Sequence, residues 1–139
     1  MGAAMIAEGI RTRQTVIDAM LAHARAALPE ECCGLLLDCD GVIDEAIAAT
    51  NVRHSPTRFE IDPRDHVAAI RKARATGRTV RAAYHSHPAG PPGPSATDAA
   101  EMGDPSLLYF IVSLQDPAAV HAFRWEGGNF SAVPIVPVP

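Results

Sequence analysis

The sequence predicts one α/β domain spanning residues 1–139, with helices packed on a mixed β-sheet. Three observations carry that expectation. The length of 139 residues fits the usual domain of about 100–200 residues. Helical and strand periodicities alternate, in the order helix, hairpin, helix, strand, loop, short helix and a closing meander of strands. No repeat or linker-like stretch divides the chain.

Each element has its own signal. From Gln14 to Leu28, the residues Val16, Ile17, Met20, Leu21, Ala24, Ala27 and Leu28 recur at helical spacing, and Pro29 stops the helix. Cys32 to Leu37 is a short apolar run, Asp40-Gly41 is a hairpin turn, and Val42 to Ala49 is the return strand. Asn51 to Pro56 reads as loop and Arg58 to Ile61 as a short strand. Asp62-Pro63 then opens a helix, with the Asp as cap and the Pro at the first position. Val67 and Ile70 give that helix an apolar side, and Gly77 ends it. Strands follow at Val80–His85, Leu107–Leu114, Ala118–Trp125 and Phe130–Val136, the last two joined by a turn at Glu126–Asn129.

Composition excludes several classes. Apolar residues make up 47% and charged residues 20%, as in globular domains rather than disordered chains. A net charge of −4 argues against a nucleic-acid binder, and no apolar run is long enough for a membrane span. The start of the chain carries neither a signal-peptide pattern nor a complete myristoylation motif, since position 6 is Ile. The cysteines Cys32, Cys33 and Cys39 are odd in number, crowded together and lack CxxC spacing. They read as thiols on a strand in a reducing, cytoplasmic setting.

The chemistry concentrates around residues 85–98. Side chains two apart on a strand point the same way, so His85 and His87 present both rings on one face while Ser86 points to the other. The segment Pro88 to Pro94, PAGPPGP, is too rich in proline and glycine for helix or central strand. Its prolines stiffen it and hold its two ends in fixed relation. Beyond it, Ser95-Ala96-Thr97-Asp98 is a capping pattern that puts Asp98 in the first turn of a helix. Two imidazoles and one carboxylate form a three-residue zinc set that leaves a fourth position open for water, the pattern of catalytic sites. A hydrolase of this kind also needs a base, and Glu30 and Glu31 are the candidates at the entry to the first apolar strand.

Pro29-Glu30-Glu31-Cys32-Cys33-Gly34-Leu35-Leu36 resembles the Pro-x-Glu-x-Cys-Gly-x-Leu opening of bacterial JAMM (JAB, MPN-plus) metalloproteases. His85-Ser86-His87-Pro88 followed by Ser95-x-x-Asp98 is similar to their His-x-His-Pro…Ser-x-x-Asp signature, at its spacing. The likeness extends to the first helix, Asn51…Ser55-Pro56, Phe59-x-Ile61-Asp62 and Val112-Ser113. It implies a JAMM/MPN-like, cytidine-deaminase-like domain with a curved mixed sheet. It also implies one Zn2+ held by His85, His87 and Asp98, with a catalytic water in the open position. Glu31, which stands three residues before Gly34, is then the base, and Ser95 steadies the oxyanion. The cap and the oxyanion role make rival demands on the Ser95 hydroxyl.

The resemblance implies a peptidase or isopeptidase acting at the C-terminal glycine of a small β-grasp protein of the ubiquitin-like or sulfur-carrier type. Cysteine or a short peptide is the released group, and a homodimer is among the assemblies allowed. The expected cleft lies on a sheet edge, with the Pro88–Pro94 loop as one wall. A conjugate-removing, deubiquitinase-like enzyme and a non-catalytic MPN-type scaffold are the alternatives. The ligand set is intact, which weighs against the scaffold. A zinc nucleoside deaminase needs His-x-Glu and a Cys-x-x-Cys pair, and this chain has neither. His23, His54, His66 and His121 lack ligand spacing and read as surface or packing residues. Residues 62–81 carry a local charge of +4 against −8 for the rest, either a solvated helix end or a docking patch for an acidic partner.

Overall fold

The computed structural model describes residues 9–139. The first eight residues, on which most of the targeting analysis falls, lie outside that range. The elements are β1 (Ile10–Arg13), α1 (Gln14–Ala27), β2 (Cys33–Cys39), β3 (Val42–Ala49), α2 (Pro63–Ala75) and β4 (Thr79–His87). They continue with α3 (Ala96–Ala100), β5 (Leu108–Ser113), β6 (Ala119–Glu126), β7 (Asn129–Val133) and β8 (Ile135–Val138). All eight strands join one mixed sheet in the order β7-β6-β5-β4-β2-β3-β1-β8. Among the described residues, no helix is long and apolar enough to cross a membrane.

Local chemistry explains most boundaries. Asp40 and Gly41 both adopt positive φ, at 52° and 82°, which matches the twist of a two-residue hairpin. The Asp62 side chain accepts from the Arg64 backbone N–H and caps α2. Gly77, at φ +70°, terminates it. Helix α1 buries Val16, Met20 and Ala24, spaced one turn apart, against Leu36, Tyr84, Phe110 and Val112 on one face of the sheet. Helix α2 covers the other face, where Ala69 packs with Leu35, Ala83 and Tyr109.

Four features depart from the sequence expectations. Strand β1 is an added element. The expected final strand breaks at Pro134, which has no N–H for a ladder. Its second half crosses to the far edge as β8, parallel to β1. Residues 58–61 form only the isolated bridge Asn51↔Ile61. The Arg58 carbonyl and the Glu60 N–H bond the Asn51 side chain instead of a neighbouring strand. On α2 the buried side is Ala69 and Ala73, and Val67 remains 47% exposed. Two alanines one turn apart bring the helix close to the sheet, which a valine stripe would hold off.

The basic run is mostly neutralised within the chain. Arg78 meets Asp44 at 2.8 Å, Arg81 meets Asp38 at 3.6 Å, Lys72 meets Glu45, and Arg64 folds back on Asp62. This charge ladder ties α2 and β4 to the β2–β3 hairpin, and it favours the structural reading of the segment.

Strand β4 is central. It pairs with β2 on one side and, in parallel, with β5 on the other. Gly34 of β2 faces Tyr84 of β4, and a Cβ there would collide with the Tyr84 ring and the Ile47 carbonyl. Gly34→Ala should therefore lower stability by about 1–3 kcal/mol, the usual cost of overpacking a core. A urea unfolding curve with an unshifted midpoint would contradict this packing.

Candidate metal centre

The period of β4 places His85 and His87 on the face covered by α2, and Ser86 on the α1 face. The site therefore lies at the C-terminal end of a central strand, not on a sheet edge as expected. Strand β4 outruns β2 at this end, because β2 begins opposite His85. Ser86 closes the step. Its Oγ accepts from the Cys32 N–H at 2.8 Å, and its own N–H donates to the Cys32 carbonyl at 3.1 Å. That reciprocal pair fixes the backbone beside Glu31.

Asp98 arrives from the other side of the proline-rich loop. It is the third residue of α3, whose capping box is complete. The Asp98 N–H donates to Ser95 Oγ at 3.0 Å, and the Ser95 N–H donates to Asp98 Oδ2 at 2.9 Å. The cap uses the Ser95 hydroxyl only as an acceptor. Its O–H proton remains available, so capping and donation outward do not conflict.

The loop itself is pinned. Ser113 Oγ donates to the Gly90 carbonyl at 2.7 Å, Gln115 Nε2 to the Ala89 carbonyl at 3.2 Å, and His87 Nδ1 to the Pro91 carbonyl at 2.8 Å. The last bond sets the His87 tautomer and turns Nε2 toward Asp98.

Three donor atoms converge. His85 Nε2 lies 3.2 Å from His87 Nε2 and 3.2 Å from Asp98 Oδ1, and His87 Nε2 lies 3.0 Å from Asp98 Oδ2. All three side chains are buried, and their ligand atoms fit within 4.8 Å of one another. Burial alone would raise the Asp98 carboxyl, but the two imidazoles that face it outweigh burial and hold the group well below the carboxylate range. Burial lowers His85. Burial also acts to lower His87, but Asp98 and the Pro91 carbonyl prevail and raise it. Two imidazole nitrogens aimed at one point beside an anionic carboxylate are a donor set suited to a divalent cation. A cation there would satisfy both nitrogens at once.

Of the two candidate bases, the structure separates one from the other. Glu31 is 4% exposed, and its Oε1 is buried without a hydrogen-bond partner among the described residues. It shares a cleft of about 350 Å³ with His87, Ser95, Thr57 and the proline-rich loop. Burial pushes its carboxyl up to about 7, against the pull of His87. Glu30 points away and pairs with the exposed His54. A second, narrower cavity of about 40 Å³ opens beside His85 and Asp98, lined by Phe59, Met102, Tyr109 and Phe130.

Sequence patterns gave no role to Asn51 and Phe59. Asn51 is buried and its amide is saturated. Nδ2 donates to the carbonyls of Glu31 (3.1 Å) and Arg58 (3.0 Å), while Oδ1 accepts from the N–H groups of Arg53 (3.0 Å) and Glu60 (3.1 Å). The Phe59 ring, between two of those anchors, stacks on His85 with centroids 4.3 Å apart and planes at 16°. The family likeness touched both residues without assigning either a role, and an asparagine before a polar loop reads equally as an ordinary turn residue. Of the remaining histidines, His23 bonds the buried Tyr84 hydroxyl at 2.6 Å, a packing role. Cys32 and Cys33 are buried free thiols and Cys39 is a partly exposed one.

The order of these parts, a glutamate before a central hairpin and then His-x-His, loop and capping aspartate, defines a JAB-type domain. Residues 13–126 match the family described as prokaryotic homologs of the JAB domain, and the chain belongs to that family. It is 34% identical over 127 residues to the CysO-cysteine peptidase of Mycobacterium tuberculosis, covering 88% of this chain and 87% of that one. It is 33% identical over 120 residues to the desampylase of Haloferax volcanii, covering 81% and 85%. Among solved structures, a protein from Desulfitobacterium hafniense superposes with a TM-score of 0.86 at 35% identity, covering 93% and 92% of the two chains.

Proposed function

We propose that the protein is a zinc-dependent peptidase that cuts the amide following the C-terminal glycine of a small β-grasp carrier, of the sulfur-carrier or ubiquitin-like type. The observation that carries this reading is the convergence of His85, His87 and Asp98, with His87 opening onto the cleft that also holds the buried Glu31 carboxylate. The names of the two curated relatives, one a peptidase for a cysteine-bearing protein and one a desampylase, support the substrate class.

His85 and His87 would hold zinc through Nε2 and Asp98 through its carboxylate. Bound zinc supplies Lewis acidity, which brings the ionisation of water from about 15.7 to near 7. Glu31 Oε1 takes the proton of the attacking water and returns it to the leaving amine. A carboxyl near 7 suits both transfers, because a base poised near the working pH can accept and release. The Ser95 O–H, left over from the cap, donates to the carbonyl oxygen as charge grows on it. A glycine tail, which brings no side chain, suits a cleft walled by the proline-rich loop. The buried free thiols fit a reducing, cytoplasmic setting.

Three outcomes test this. Purified protein should carry about one zinc per chain, as the three-ligand set implies, and His85→Ala or Asp98→Ala should lower that content by elemental analysis. Full occupancy in both variants would remove the ligand assignment. Glu31→Gln should retain zinc while losing on the order of 10²–10⁴-fold in turnover, whereas Glu30→Gln should turn over like the parent. An inactive Glu30→Gln beside an active Glu31→Gln would reverse the choice of base.

The substrate class is tested with carrier proteins fused through their terminal glycine to cysteine or a short peptide, with products read by mass spectrometry. Cleavage should fall directly after that glycine and become slow when it is replaced by Val or Leu. Equal rates for glycine and leucine tails, or cutting only in unrelated unfolded peptides, would defeat the carrier-tail reading while leaving the zinc chemistry standing.

A further inference from the structure

The two histidines of the centre are held in different ways. A metal-bound imidazole usually donates its second ring N–H to a carbonyl or carboxylate, which fixes the ring plane. His87 does so through the Pro91 carbonyl. His85 does not: its Nδ1 is buried and has no hydrogen-bond partner among the described residues. What lies against the His85 ring is the face of Phe59, nearly parallel at 4.3 Å. Phe59 is itself immobilised, because Asn51 bonds the backbone of the residue before it and the residue after it.

We propose that Phe59 is the positioning residue of His85, its ring face fixing the imidazole plane in place of the missing hydrogen bond. The inference rests on the reading of His85 as a zinc ligand. Phe59 touches neither zinc nor the reacting atoms. It acts by holding Nε2 aimed at the point that His87 and Asp98 also face. A flexible aliphatic side chain of similar volume would fill the space and leave the ring free to turn about its χ2 torsion, which is broad for an imidazole. Asn51 extends the arrangement, since the same amide also bonds the Glu31 carbonyl. The plane of one ligand and the backbone of the base are thus referred to one side chain.

The test is zinc affinity of the full chain, measured by competition with a chromophoric chelator, together with the visible absorption of the cobalt-substituted protein. Phe59→Leu should weaken zinc binding by about 10–100-fold, the loss seen when an outer-shell partner of a metal-binding histidine is removed. It should also alter the cobalt spectrum. Phe59→Tyr, which keeps the flat ring, should restore both. Melting of the metal-free Leu and Tyr variants at the same temperature separates positioning from general destabilisation, and Phe59→Met replaces the Leu variant if that chain does not fold. Zinc affinity and cobalt spectrum unchanged in the aliphatic variant would overturn the proposal. So would a Tyr variant as weak as the aliphatic one. A parent protein that binds no zinc would instead overturn the reading of the metal centre itself.

Discussion

The site depends on one buried carboxylate. Asp98 is anionic, withdrawn from water and faced by two imidazoles. An unpaired charge in that position would be costly, so the surroundings must supply positive charge or donors. They do so from two directions, with the α3 capping box on one side and the histidines of β4 on the other. The same atoms start a helix and shape the centre. Truncating Asp98 thus removes one half of the capping box, the bond from the Ser95 N–H, together with the third side chain of the cluster.

The residues read most directly from sequence are those whose local geometry and chemistry coincide. His85 and His87 were legible because strand period alone puts them on one face. Asp98 was legible because its capping pattern fixes where its side chain points. Glu31 was different. Local pattern left it level with Glu30, and only the family likeness chose between them. The structure gives the physical distinction, one carboxylate buried in the cleft beside His87 and the other partly exposed beside His54.

What the sequence hid was set by long-range pairing and by side chains replacing backbone partners. Nothing near Pro134 announces that the next residues cross to the opposite sheet edge. The polar–apolar alternation of Arg58–Ile61 suggests a strand, yet Asn51 captures the carbonyl and the N–H that a ladder would need. Val67 carries the hydrophobic signal of α2, while the helix packs through alanines. The place of β4 at the sheet centre followed from topology that no local window contains.

The saturated amide of Asn51 has a mechanical consequence. All four of its hydrogen-bonding positions are taken, two by the segment that carries Phe59 and one by the backbone that carries Glu31, so one amide ties both to the same point. Loss of that one amide would release the backbone beside Glu31 and the ring stacked on His85 together, in the manner of a keystone.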